Sequence, residues 1–381
     1  MGKIRTIRAK SIRILCVREY YGEQLRGQRS DAWKECNKRL FQYYRTLAPQ
    51  LPDNFAEMEP LFSAVICGCN AGLFREALHE LYIPRIQRGD ACFASNVLGA
   101  RGALLSVLVH FFEHGRWESP VVEMGHEGQR LTAEDQLFIL MQAALYLTAI
   151  RGMAAPEVRI CYGRAESLCH SLNRPLLLYS ALMGQWRYSL MTDKLTATME
   201  VAKRVYSLAQ EQQDPALMIG ACQALVSTLH FLGDLESARQ YALRGVQIWR
   251  SGGVQSPVEQ VDPPSVVCLC YKAVCEGHFG EIASSQSTIA EAISLAKELN
   301  DAHALAEALF FAVSLRPNPA ETERLASEVI ELSTRHHFAH WIPIGTILRG
   351  WARSASGDKL KASRRSKTEY ETIGQSVRCC P

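Results

Sequence analysis

Thirteen cysteines and eleven histidines are the first places to look for chemistry in this 381-residue chain. Cys67/Cys69 and Cys268/Cys270 form C-x-C pairs, but neither has a second pair at zinc-ribbon spacing. Cys161, Cys169, Cys222 and Cys270 lie in apolar helical patterns, where a free thiol acts as a small hydrophobe in a reducing compartment. His336, His337 and His340 in RHHFAH read as a polar loop before a helix. Glu321 and Glu323 fall on a solvated helix face. No G-x-x-x-x-G-K-[ST], H-E-x-x-H, G-x-S-x-G or G-x-G-x-x-G run occurs, so no motif supplies a phosphate cradle, a catalytic zinc or an activated serine. The expectation is a non-enzyme without cofactor or metal.

What remains is recognition. Arg187, Ser227, Lys272, Phe311 and Trp351 recur at nearly constant spacing, and a column of cations and aromatics on one surface can grip an acidic or aromatic peptide. These five are the candidate partner-binding residues, and a protein or peptide is the expected partner.

The column needs elements to carry it. In LHFLGDLESARQYALRGVQIW (Leu229 to Trp249), Gly233 can end one helix with a positive φ and Asp234 can cap the next. Ala238, Ala242, Gly245 and Ile248 then share one face of the second helix. The same ladder reads Val158, Tyr162, Ala165, Leu168 and Thr198, Ala202, Val205, Leu208 upstream. Downstream it reads Ala283, Ser287, Ala290, Ile293 and Thr322, Ala326, Val329, Leu332. RSGGVQSPVEQVDPP reads as an inserted loop. A period of about 40 residues marks a solenoid of antiparallel helical hairpins, each covering its neighbour's apolar face, so the fold class is all-α.

A sixth unit begins at Gly357-Asp358, but Ser366, Glu369 and Thr372 cannot fill its ladder. The expected organisation is a basic segment at 1–28, a helical linker domain at 29–120, the repeat array at 121–357 and a poorly packed tail at 358–381. Within the linker, SDAWKECNKRLFQYYRTL reads as a helix capped by Ser30 or Asp31, and LPDNFAEMEP as a loop. Composition is that of an ordinary folded protein, 48% hydrophobic and 21% charged, and a net charge of +3 gives no reason to expect nucleic acid. No run of about 18 apolar residues stands out as a membrane span, and MGKIRTIRAKSIRIL lacks a secretory core, so no membrane is expected and the expected location is the cytoplasm.

The hairpins with G-D turns resemble the degenerate tetratricopeptide-like repeats at the C-terminal end of bacterial STAND signal-transduction ATPases. VREYYGEQLR, AWKECNKRLFQYY, MEPLFSAVICGCNAGLFREAL, IPRIQRGD and LGARGALLSVL resemble the stretch joining the winged helix to those repeats. The resemblance covers about residues 15 to 357. It implies an array that senses an inducer or protein partner on its concave face, and it leaves the ATPase unaccounted for, so both ends look cut. Bulky Trp186, Val226, Tyr271 and Phe310 occupy a first-helix column that is small in tetratricopeptide repeats, hence "tetratricopeptide-like". MalT-like transcriptional regulators also carry such repeats, and Lys3, Arg5, Arg8, Lys10 and Arg13 keep that alternative open, as does a truncated gene product without independent function.

Overall fold

The computed structural model describes residues 22, 24–122, 129–192, 195–252, 263–315, 318–336, 338 and 340–356. The basic cluster before residue 14, the start of a sixth repeat at Gly357 and the tail after it lie outside them. Among the described residues the chain is all-α, with one isolated antiparallel bridge between Phe112 and Val121. It forms two compact units, Met1–Tyr146 and Leu147–Pro381.

In the first unit, α1 (Ser30–Leu47) packs on α2 (Phe55–Ala71). Neither Ser30 nor Asp31 caps α1, because the helix starts one residue earlier than the sequence suggested, at an Arg29 N-cap that makes no side-chain cap bond. Nor is LPDNFAEMEP a loop throughout. Asn54 accepts from the Glu57 N–H at 3.1 Å and donates to the Glu57 carboxylate at 2.8 Å, a reciprocal cap that starts α2 at Phe55 and carries Pro60 inside the helix. After Gly72 the chain turns into a π-helical segment, Ala77–Gln87. That segment places Tyr82 edge-on to Phe111 and Phe138 in the core, and it buries Arg85. Arg85 donates to the carbonyls of Arg45, Ala48, Pro49 and Gln50, closing the C-terminal end of α1 with a fixed guanidinium fork. Next come α3 (Arg101–Leu108) and α4 (Ala133–Arg151), which opens on a second reciprocal cap between Thr132 and Asp135.

The second unit is a solenoid. Its helices are α5 (Pro156–Leu172), α6 (Pro175–Thr192), α7 (Leu195–Gln212), α8 (Pro215–Leu232), α9 (Leu235–Gly252), α10 (Pro264–His278), α11 (Ile282–Glu298), α12 (Ala302–Ser314), α13 (Pro319–His336) and α14 (Trp341–Ala355). The opening hairpin forms as its residues dictate: Gly233 takes φ 82° and the Asp234 carboxylate accepts the Ser237 N–H at 3.1 Å. Asp214 and Asp301 cap α8 and α12 the same way. Ala238 and Ala242 are fully buried, as are Ala202, Val205, Thr322, Ala326 and Val329.

One ladder is displaced. Ala283, Ser287 and Ala290 face solvent on α11, and the buried face is Ser285, Ile289, Ala292 and Leu295. IASSQSTIAEAISLAKE offers two adjacent stripes of small residues, and the Ser285 hydroxyl selects between them by donating to the Ala273 carbonyl at 2.7 Å. Pro215–Leu232 is long and apolar enough to cross a bilayer by length and composition, but most of it is buried within the unit as the floor between α7 and α9. A hydrophobic helix surrounded by other helices follows the same sequence rule as one surrounded by lipid.

First and second helices pack differently. The first helices α8, α10 and α12 lie close against one another, whereas successive second helices are joined mainly by long side chains. Arg204 on α7 pairs with Glu166 on α5, Arg250 on α9 reaches Glu291 on α11 at 2.7 Å, and Arg239 reaches Glu281 at 2.8 Å.

Candidate functional site

The recognition column runs over α6, α8, α10, α12 and α14, one residue from each first helix. Arg187 is 7% exposed, its guanidinium carbon lies 5.8 Å from the Trp186 ring centroid, and its Nη2 has no hydrogen-bond partner. Trp186 is fixed in turn by donating to the Thr228 hydroxyl at 3.0 Å. Ser227 is buried and donates to the Gln223 carbonyl of its own helix at 2.9 Å. Lys272 holds Glu276 at 2.6 Å and the Thr288 hydroxyl at 2.8 Å. Phe311 is buried edge-on to Tyr271, ring centroids 4.9 Å apart. Trp351 is 53% exposed, beside Ile347 at 52% on the same helix.

These environments fix what the column can do. Partial burial pushes the Glu276 carboxyl upward, but hydrogen bonds from Lys272, Ser284 and Thr288 outweigh it, so its pKa lies below the ordinary value. It stays an anion tied to Lys272. Arg187 keeps a buried positive charge next to an indole, and Trp351 with Ile347 gives a broad apolar face at the end of α14. Among the described residues no group of three His, Cys, Asp or Glu side chains converges as a metal site would require. These cysteines behave as packing atoms: Cys161, Cys169, Cys222 and Cys270 are buried, and burial pushes the Cys222 thiol up to about 12.

Sequence reasoning missed the polar seam beside this column. His230 sits 5.3 Å from the Tyr271 ring and 6.0 Å from the His278 ring, with its Nδ1 buried and unpartnered. Burial, then the neighbouring His278, lowers its pKa, so it is held neutral. The residues lie 48 and 41 positions apart, outside any local window, and only the repeat period could have brought them together.

No family model matches the chain, and no curated protein matches it. Among solved structures it is similar to a Signal Transduction ATPase with Numerous Domains protein with a tetratricopeptide repeat sensor from Pyrococcus horikoshii. That match has a TM-score of 0.44 and 11% identity over 93% of this chain and 49% of that one. The chain spans about half the length of that protein. It is also similar to a Rap protein complexed with competence and sporulation factor, with a TM-score of 0.53 and 10% identity over 96% of this chain and 99% of that one. The second likeness shows the fold, a tetratricopeptide-like helical repeat.

Proposed function

We propose that this chain is a non-catalytic interaction or sensor module of a STAND-like signal-transduction system, whose array at 121–357 takes a protein or peptide partner on the face lined by its first helices. The observation that carries the reading is the asymmetric stack. First helices pack closely on one another while second helices are bridged mainly by long side chains, a geometry that curves a solenoid with its first helices inside and offers an extended surface for a partner. Exposed Trp351 and Ile347 supply the kind of aromatic and aliphatic anchor that dominates such contacts. The Rap protein of similar fold was solved in complex with a factor, which supports a partner for this array as well.

The test is a selection of phage-displayed random peptides on the full chain, followed by affinity measurement against Trp351→Ala. Trp351 is largely exposed, so the variant keeps the fold. Clones whose affinity falls about tenfold or more in the variant are the expected result. A selection that yields no binder, or only binders indifferent to Trp351, would count against the inner-face reading.

A further inference from the structure

Two clefts lie along the outside of the second unit, both between α7 and α9 and both floored by α8. One, of about 530 Å³, is lined by Met199, Lys203, Tyr206, Leu225, Leu229 and Tyr241. The other, of about 500 Å³, is lined by Ala209, Gln213, Met218 and Ile248 among others, toward the opposite ends of the same three helices. Each falls in the size range of pockets that hold ligand side chains. The first is a short trench with Leu225 and Leu229 of α8 as its apolar floor.

Beside that trench the seam between α7 and α9 is unusual. Between α5 and α7 the outer seam is closed by Glu166 and Arg204. One period of forty residues later, the position of Arg204 is again an arginine, Arg244, but the position of Glu166 is Tyr206. Arg244 donates to the Tyr206 hydroxyl and lies over its ring, 5.4 Å from the centroid. Burial raises the Tyr206 pKa above its ordinary value, so the phenol is neutral and gives Arg244 no countercharge. Among the described residues no carboxylate lies within ion-pair distance of Arg244. In the same trench Lys203 has only a solvated partner, Glu200, at 3.5 Å. Tyr206 and Tyr241 stand edge to face at 5.7 Å over Leu225 and Leu229.

We infer that this trench is a second binding surface, for an acidic segment of a partner protein that places a carboxylate on Arg244 and large apolar side chains between Tyr206, Tyr241 and the leucine floor. The partner supplies the anion that the repeat omits. A charge-assisted contact of guanidinium and carboxylate, flanked by an apolar floor and two aromatic rings, gives both affinity and selection for the acid. The inference rests on the reading of the array as a protein-binding module and adds a face to it.

The same peptide selection tests it, read with different variants. Arg244→Glu alters an exposed side chain and leaves the core alone. Tyr206→Glu restores the carboxylate found one repeat earlier and so neutralises Arg244 from within. The expected outcome is a class of clones rich in Asp or Glu next to Leu, Phe or Trp, losing about tenfold or more in affinity in both variants. Those clones should lose a similar factor when their acids are changed to amides, and none in Trp351→Ala. Acidic clones that bind both variants like the parent chain, or amide forms that bind equally well, would overturn the trench. Clones sensitive only to Trp351→Ala would leave the inner face standing and remove this one. No clones of any kind would remove both.

Discussion

Burial decides which thiols can react. Cys222 and Cys268 crowd the space where a side chain at Gly245 of α9 would stand, both are buried, and burial pushes both pKa values up, that of Cys222 to about 12. Cys36 is exposed on α1. Since the thiolate is the nucleophile, native alkylation with iodoacetamide at neutral pH should label Cys36 within minutes and leave Cys222 and Cys268 unlabelled until the chain unfolds. Mapping the labelled peptides by mass checks this. Glu276 offers a second test. Its folded pKa lies below the ordinary 4.5, so its contribution to stability is complete above that value and fades as pH falls through the lower folded one. Glu276→Gln strands Lys272 among buried groups and should cost about 3–5 kcal/mol near neutral pH. The gap in melting temperature between variant and parent should narrow steadily below pH 4.5. A gap that stays constant down to acid unfolding would show that the pair is not what the carboxylate sustains.

At the scale of the element, helices were legible wherever a face repeats and caps are local. Gly233-Asp234 announces its turn within four residues, and the α7, α9 and α13 ladders bury the residues that spacing alone selects, except Ile248 and Leu332, which are half-buried. α11 was misread because serine and alanine fill two neighbouring stripes equally well, and a bond to Ala273 twelve residues earlier decides between them. The π-helical segment had no signal, since its extra residue per turn is stabilised by contacts as distant as Arg85 to Arg45. Close approach gives a sharp test of the ladder. A methyl on Gly245 would sit 2.6 Å from the Cys268 Sγ and 3.2 Å from the Cys222 Cβ, so Gly245→Ala should destabilise by about 1–3 kcal/mol. Gly163 on α5 has open space around the same position, and Gly163→Ala should stabilise by about 0.5–1 kcal/mol. Urea unfolding of the two variants side by side separates overpacking from helix propensity.

At the scale of the molecule, the recognition column illustrates how far a period can be trusted. Spacing alone put Arg187, Ser227, Lys272, Phe311 and Trp351 on successive first helices, but depth within each helix pair is set by neighbours, and burial of Arg187, Ser227 and Phe311 was not readable from a period. Stability should follow neighbour number, because each hairpin leans only on those beside it. Backbone amides of α8 and α10, most of whose residues are buried, should exchange with deuterium most slowly, and those of α14, which leaves Trp351 and Ile347 to solvent, among the fastest of the helices. Uniform protection along the unit would contradict a nearest-neighbour array. The unequal seams carry a further, mechanical consequence. Apolar contact between first helices makes one edge of this stack stiff, while arginine–glutamate rungs tie the other edge with bonds that dissolved ions screen. Such a beam bends by opening its salted edge. Its compliance therefore rises with ionic strength, and the seam between α7 and α9, tied by a phenol where the neighbouring seams have carboxylates, is the one least affected by salt.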